Sequence, residues 1–322
     1  MAGQPVVEGH RGGGSALSVR GLLVRLAGIA WVTVAATATA WLIVHLLRPN
    51  LFPAEHGTLP ARLAHFLDRA FLHFDFGQSQ AVGRPMVADM IRRGLPADVS
   101  LLVGGLAFGL LAGVLGGLLC ALRPRSLSAR ALNAVAMVAF CAPVYVVGLG
   151  LLLLFGSGIA VVNIGFEIPT NYVPFADSPS GWLGALIAPW IVLGLPLAGM
   201  CLRVMQGAMV DVEGEDYLRT ARAKGLSEWR VLRRHAVPAA LGPTATLAGT
   251  AMPFLLTNLV LIEKVYSVPG VFQDFTAAIG RADYQLVFGV TAVGALLIGT
   301  TTLLFDLFLQ WLDPRVRMSA AS

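Results

Sequence analysis

Charge is the property this chain has least of. Only 13% of its 322 residues are Asp, Glu, Lys or Arg, against about 25% in a soluble globular domain. Lysine occurs only at Lys224 and Lys264, and neither follows the glycine that precedes the lysine of a nucleotide-binding P-loop. The three cysteines, Cys120, Cys141 and Cys201, form no CxxC pair, so the sequence offers no cysteine-based zinc site. We therefore expect no metal or cofactor bound by this chain.

In place of charge stand six long apolar runs that contain no Asp, Glu, Lys or Arg. A membrane-spanning helix needs about 20 such residues, because each residue rises about 1.5 Å through a hydrocarbon core about 30 Å thick. The runs are Leu26–Leu47, Leu101–Leu122, Ala131–Val162, Trp182–Leu202, Ala239–Ile262 and Gln285–Phe305. The sequence therefore predicts an all-α polytopic membrane protein with six transmembrane helices.

The basic residues are distributed unevenly between these runs. The stretch 203–234 holds seven of them, whereas the segment 156–181 holds none. Because positive residues are retained on the cytoplasmic side, both termini are predicted to be cytoplasmic. Six arginines in the outer loop 48–96 run against this trend, but long loops count less in the rule. The predicted organisation is a disordered tail (1–20), a transmembrane domain (21–317) and a short second tail (318–322).

The outer loop 48–96 contains its own helical pattern. Apolar residues recur there at intervals of three and four, at Leu63, Phe66, Leu67, Ala70, Phe71 and Phe74. This spacing predicts an amphipathic helix that lies on the membrane surface or packs on the rest of the protein. A second short helix is predicted from Pro85 to Arg93, since proline suits a first helical position.

Several positions inside the runs indicate how the helices pack. Gly105, Gly109, Gly113 and Gly117 share one helix face and predict a close helix–helix contact. Prolines in the third, fourth and fifth runs predict bends. Asp306 lies near the end of the sixth run, and we expect its partner to be Arg315, Arg317 or another chain.

The basic segment 203–238 predicts two short helices joined by a sharp turn. Residues 213–224 suit a helix, Gly225 suits its C-terminal turn, and Ser227 suits the start of a second helix. A DNA-binding helix-turn-helix would look similar, but this segment is tethered between two spans. A solvated basic loop that only fixes topology is a further alternative. A rigid docking surface for a cytoplasmic partner accounts best for the helix–turn–helix pattern.

The same segment resembles the EAA motif of permease subunits in ATP-binding-cassette (ABC) importers, in the form typical of dipeptide and oligopeptide permeases. Residues 216–225 read D-Y-L-R-T-A-R-A-K-G, and Pro238 follows at the family spacing. Further matches are Phe74–Ser79, Gly83–Pro85 with Leu95–Ala97, Glu263–Gly270 and Asp313–Arg317. Four departures stand beside them. Only Ala221 remains of the EAA triplet, and His235 and Val237 replace the Ile and Leu of the same motif. Arg48-Pro49-Asn50 replaces a P-G-D-P motif, and Cys141-Ala142-Pro143 replaces S-x-P.

This resemblance implies a type I ABC importer permease fold and a set of functional residues. The implied ATPase-coupling residues are Arg219, Thr220, Ala221, Lys224, Gly225, Leu226 and Pro238. The implied outer-loop motif comprises Glu263, Tyr266, Pro269 and Gly270. The resemblance also implies location in the bacterial plasma membrane and contact with lipid but not with nucleic acid.

The partners that the resemblance implies are a second homologous permease, two ATPase subunits that hold ATP and magnesium, and an extracytoplasmic solute-binding protein. The loops 49–96, 156–181 and 263–284 are candidates for receiving that binding protein. Peptides are the expected substrate, with glutathione or nickel as alternatives within the family.

Two other kinds of membrane protein compete with this interpretation. A secondary transporter would need acidic or basic groups at mid-membrane, and the six runs offer only His45 near one end. A membrane assembly protein without transport activity remains an open alternative. A membrane-embedded enzyme is disfavoured, because the chain has no HExxH or GxSxG motif and no paired carboxylates within the runs.

Overall fold

The computed structural model describes residues 19–48, 57–158, 161 and 167–312. Most of the predicted first tail, the whole second tail, most of the Arg48-Pro49-Asn50 departure and the Asp313–Arg317 motif lie outside these residues, while residues 19 and 20 of the predicted first tail already belong to a helix. The described chain is almost entirely helical, with twelve α-helices and one π-helical turn in chain order. These are α1 (Val19–Leu47), α2 (Leu59–Leu72), α3 (Val87–Leu122), α4 (Leu127–Cys141), α5 (Val144–Phe155), α6 (Pro179–Glu213), α7 (Asp216–Ala223), α8 (Glu228–Val231), the π turn (Leu232–Ala236), α9 (Val237–Thr250), α10 (Met252–Tyr266), α11 (Phe275–Gly280) and α12 (Tyr284–Leu312).

The predicted all-α fold is confirmed, and the described helices give four to six candidate spans. Four helices, α1, α3, α6 and α12, are each long and apolar enough to cross a membrane alone. Two bent helix pairs bring the number to the predicted six if each pair forms one span. Helices α4 and α5 meet at 111°, and the helical run 228–250 meets α10 at 51°.

The bend predicted in the third run is present: Pro143, which lacks a backbone N–H, lies directly before α5, and α5 leaves α4 at a sharp angle. Two other predicted boundaries were wrong. The short helix expected at Pro85–Arg93 is instead the first part of α3, which continues through Pro96. The outer segment expected to start at Glu263 is still helical there, and α10 ends only at Tyr266.

The centre of the molecule is the contact between α3 and α6. The four predicted glycines of α3 face α6 closely. A Cβ added at Gly105 would lie 3.0 Å from the Leu193 side chain, and one added at Gly117 would lie 2.6 Å from the Leu202 carbonyl oxygen. At Gly194 of α6, a Cβ would overlap the carbonyl oxygen of Gly105. These two helices therefore touch backbone to backbone, which only residues without side chains allow.

Helix α2 is the amphipathic helix predicted in the outer loop, and it packs on the protein itself. Its buried side is Phe66 and Ala70. The Phe66 ring lies 5.3 Å from the Phe288 ring of α12, edge to face, and 6.0 Å from the Trp41 ring of α1. Aromatic contacts of this geometry fix α2 across the ends of two spans.

Asp306 contacts an arginine that the sequence did not suggest, whereas the predicted partners Arg315 and Arg317 lie outside the described residues. Its carboxylate accepts a hydrogen bond of 3.2 Å from the Arg25 guanidinium of α1. Asp306 and Arg25 thus connect the first span to the last.

Candidate coupling site

A helical arm, residues 216–236, leaves the end of α6 and returns to α9. Helix α6 ends at Glu213, and α7 begins at Asp216, three residues later than the sequence predicted. Gly225 follows α7 with φ +78°, and its N–H donates to the Arg222 carbonyl at 2.9 Å. Glycine adopts this left-handed conformation without the steric cost of a Cβ, so the chain reverses within a few residues.

The inner side of the arm is packed against the ends of α6 and α9. Leu218 of α7 and Val231 of α8 are fully buried in one apolar cluster with Met205 and Met209 of α6. Burying side chains of this size contributes about 1.5–3 kcal/mol each. The arm is consequently a fixed projection of the spans and not a loose loop.

An ion pair closes the turn of the arm on its outer side. Arg222 donates from Nε to Glu228 Oε2 at 3.1 Å and from Nη2 to Oε1 at 2.7 Å. This hydrogen bonding raises the pKa of Arg222 above its ordinary value, so the guanidinium stays charged at physiological pH. The two-point contact restrains the angle between α7 and α8.

The outer side of the arm is basic and aromatic. Tyr217 is 45% exposed and Trp229 is 68% exposed. Trp229 lines an open pocket of about 430 Å³ together with Ser227, Arg230, Arg233 and Arg234. Exposed tyrosine, tryptophan and arginine are the residue types enriched in protein–protein interfaces.

The predicted coupling residues divide between these two sides. Ala221 is buried and Leu226 is half-buried against the apolar cluster. The exposed members are Arg219, Thr220, Lys224, Gly225 and Pro238. The arm therefore presents most of the motif to solvent and uses the rest as its anchor.

The arm joins α9 without a loop. The helix widens to a π turn at Leu232–Ala236 and then continues as α9, with Pro238 as its second residue. Pro238 has no N–H to donate to the Arg234 carbonyl, which fits a widened turn at this place.

The predicted outer-loop motif lies partly in a helix. Glu263 and Tyr266 belong to α10 and are buried, and the Tyr266 hydroxyl donates to the Gly148 carbonyl at 3.3 Å. The loop itself begins at Ser267, whose φ of +51° ends the helix. At Gly270 a side chain would overlap the carboxyl groups of Asp98 and Glu263.

Two buried acids were missed by the sequence reasoning. Asp98 lies in α3, three residues before the uncharged run Leu101–Leu122, so the pattern of apolar runs does not place it inside a span. Asp283 accepts hydrogen bonds from Ser79 Oγ at 2.5 Å and from the Gln80 N–H at 2.8 Å. It also caps α12 through the Leu286 N–H at 3.2 Å. An acid just before an apolar helical run is the signal that could have identified it.

Asp98 and Glu263 also correct one step of the sequence argument. The absence of acids from the six runs weighed against a secondary transporter, but α3 and α10 each carry a buried carboxyl group inside the helix. In the described part of the chain, no three His, Cys, Asp or Glu side chains come together as metal ligands.

The chain is similar in sequence to relatives of known description. The chain is 32% identical over 245 residues to a putative peptide transport system permease protein of Brucella abortus, with 76% of each chain covered. It is 34% identical over 269 residues to an oligopeptide transport system permease protein of Mycobacterium bovis, covering 80% of this chain and 81% of that one. A dipeptide transport system permease protein of Bacillus subtilis is 28% identical over 253 residues, 79% of this chain and 78% of its own length.

The fold is also found among solved structures. An inward-facing structure of the MetNI methionine ABC transporter contains a chain that superposes with a TM-score of 0.51 at 17% identity, covering 70% of this chain and 96% of that chain. Residues 113–318 match the family described as the binding-protein-dependent transport system inner membrane component. With that match, the six-span fold and the relatives above, the chain belongs to this family of importer permeases.

Proposed function

We propose that this chain is the permease subunit of an ATP-driven importer of short peptides. The relatives in Brucella abortus, Mycobacterium bovis and Bacillus subtilis are described as peptide, oligopeptide and dipeptide permeases, which supports peptides over glutathione. The lack of a metal-ligand cluster among the described residues gives no support to nickel.

The observation that carries the proposal is the helical arm 216–236. Its inner side is fixed to α6 and α9, while Tyr217, Arg219, Lys224 and Trp229 face outward. This is the form needed by a surface that receives a separate ATPase and passes its movement to the spans. The chain itself contains no P-loop lysine, so the ATP and magnesium belong to that partner.

The remaining partners follow from the same proposal. One six-span chain forms half of a pathway, and a second homologous permease completes it. Two ATPases dock from the cytoplasm, where both termini also lie. A solute-binding protein docks on the outer side, where the segments 57–86, 167–178 and 267–283 are available.

The test uses two substitutions of Gly225 in the transporter assembled with its ATPases and binding protein. Gly225 has no atom within 4 Å of an added Cβ but has φ +78°, so a larger residue changes the backbone and not the packing. Gly225→Val should distort the turn at a cost of about 1–3 kcal/mol and reduce peptide uptake. Gly225→Asn should retain uptake, since asparagine tolerates the left-handed region.

Uptake and peptide-stimulated ATP hydrolysis are measured in proteoliposomes. The proposal expects both variants to insert and assemble, and only Gly225→Val to separate ATP hydrolysis from uptake. Normal coupling in Gly225→Val, or uptake in vesicles that lack the ATPases, would contradict it.

A further inference from the structure

A second feature, remote from the arm, is a pair of acids buried where α3, α10 and the segment 267–273 meet. Asp98 and Glu263 both have no exposed surface, and their carboxyl groups are close neighbours, because a Cβ added at Gly270 would overlap an oxygen of Asp98 and an oxygen of Glu263 at once. Gly270 covers them, and its lack of a side chain is what allows the segment to lie directly on both groups.

The hydrogen-bond donors around the pair are too few for two charged carboxylates. Both oxygens of Asp98 accept from the Val271 N–H, at 3.2 and 3.1 Å. The Glu263 carboxyl faces the backbone amides of Phe272 and Gln273, but neither of its oxygens completes a hydrogen bond of normal geometry. A buried carboxyl oxygen without a donor is strongly unfavourable if the group is ionised.

Among the residues that the structure describes, no positive side chain forms an ion pair with either acid. The charged group that faces Asp98 from α10 is Glu263, and the one that faces Glu263 from α3 is Asp98, while the segment 267–273 contributes backbone amides. Lys264, the next residue of α10, is exposed, whereas Glu263 is buried. Asp283, at the start of α12, is engaged by Ser79 and Gln80.

Two acids at this distance in a buried site cannot both be ionised, because the charges repel without solvent screening. One proton removes the conflict: it gives one carboxyl group a donor and leaves the other as the acceptor. We propose that Asp98 and Glu263 form a proton-binding site, in which one shared proton fastens the segment 267–273 between α3 and α10.

A divalent cation fits the site less well. Calcium takes six to eight oxygen ligands and magnesium requires six, whereas no third acid, histidine or cysteine joins the pair in the described residues. The proton needs only the two oxygens that the structure brings together.

The site makes folding depend on proton uptake. The folded pair holds a proton that two separate, solvated carboxyl groups would have released at neutral pH. Its contribution to stability is therefore complete at about pH 4 and below, where separate carboxyl groups are also protonated, and it falls as the pH rises from there until the shared proton has dissociated. Between these limits the unfolding equilibrium constant should rise by up to about tenfold per pH unit.

Infrared spectroscopy of the full-length chain, purified with the subunits that accompany it, tests the proposal directly. At neutral pH the wild type should show the C=O stretch of a buried protonated carboxyl group. The double variant Asp98→Asn/Glu263→Gln should lack this band. Asp283→Asn is the matched control, because Asp283 is equally buried but fully supplied with donors, and it should retain the band.

Thermal unfolding between about pH 6 and about pH 9 gives the second readout. The wild type and Asp283→Asn should lose stability as the pH rises, and the double variant should not. If the double variant fails to fold, the single variant Asp98→Asn takes its place in both measurements. The asparagine side chain keeps an oxygen that accepts from the Val271 N–H and has an N–H that donates to Glu263. Absence of the protonated band from the wild type would overturn the proposal. Recovery of wild-type stability at high pH by added calcium or magnesium would also overturn it, in favour of a metal site.

Discussion

At the scale of single residues, the contact between α3 and α6 depends on the absence of side chains. An added Cβ at Gly194 would overlap a backbone oxygen of α3, and backbone cannot move aside as a flexible side chain can. We expect Gly194→Ala to lower the free energy of unfolding by about 1–3 kcal/mol. Gly28→Ala in α1, where no atom lies within 4 Å, is the matched control and should be neutral.

Unfolding of the two variants in mixed detergent micelles measures this difference. Equal stability of Gly194→Ala and the wild type would show that the helices separate without cost, contrary to the close contact described above.

Asp283 provides a second prediction at this scale. Removing its carboxylate leaves Ser79, Gln80 and the first turn of α12 without their acceptor. Asp283→Ala should therefore reduce the free energy of unfolding by about 1–3 kcal/mol. The exposed Asp177 supplies the control, and Asp177→Ala should unfold at the wild-type denaturant concentration. A similar loss in both variants would contradict a specific role for Asp283.

The glycines could be predicted from the sequence, whereas the buried acids could not. Gly105 and its three partners recur every fourth residue, and helix periodicity alone places them on one face. Asp98 and Glu263 are 165 positions apart in the chain, and only the packing of α3 on α10 brings them together. A charged residue at the edge of an apolar run predicts the end of a span, but the helices α3 and α10 continue through Asp98 and Glu263.

At the scale of elements, the apolar runs and their prolines predicted the candidate spans and the positions of bends, but not the size of a bend. Pro143 indicates a break in the third span, and the structure shows that the two parts meet at 111°. The size of the bend depends on contacts with neighbouring helices. One such contact is between Gly199 and Ala136, where a Cβ added at Gly199 would lie 2.7 Å from the Ala136 carbonyl oxygen. Such contacts join α4 to α6 across some 60 residues of chain and leave no local pattern in the sequence.

Helix α2 yields a prediction about a whole element. Phe66 is its main buried anchor, between Trp41 and Phe288. Phe66→Ala should cost about 3–5 kcal/mol and detach α2 from α1 and α12. Leu72→Ala, in the same helix but 77% exposed, should leave α2 in place. Limited proteolysis of residues 57–75 reports the difference, and equal protection of the two variants would show that Phe66 does not hold the helix.

At the scale of the whole molecule, the predicted orientation places the arm and the outer loop on opposite sides of the membrane. Val82 is fully exposed in the segment before α3, and Lys224 is exposed at the turn of the arm. In a Cys141→Ser background, a membrane-impermeant maleimide should label Val82→Cys in intact cells. Lys224→Cys should react only after the membrane is opened. Labelling of both positions from the same side would refute the orientation.

The sequence motifs predicted the identity of the whole molecule better than its surfaces. The match of Gly225 and Pro238 to a family spacing indicated an importer permease, which the family match confirms. The sequence does not distinguish the surfaces that contact lipid from those that contact a second permease. Exposed apolar side chains such as Val138, Phe140 and Phe254 suit either neighbour chemically, so composition cannot separate them.

The direct connection of the arm to α9 has a mechanical consequence. From Glu228 to Thr250 the backbone is one uninterrupted helical rod, about 33 Å long at about 1.5 Å per residue. A rod of this length acts as a lever: a tilt of about 5° about its end at Glu228 displaces its end at Thr250 by about 3 Å. In the proposed importer, a small rotation of the docked ATPase at the base is thereby enlarged at the 51° bend before α10.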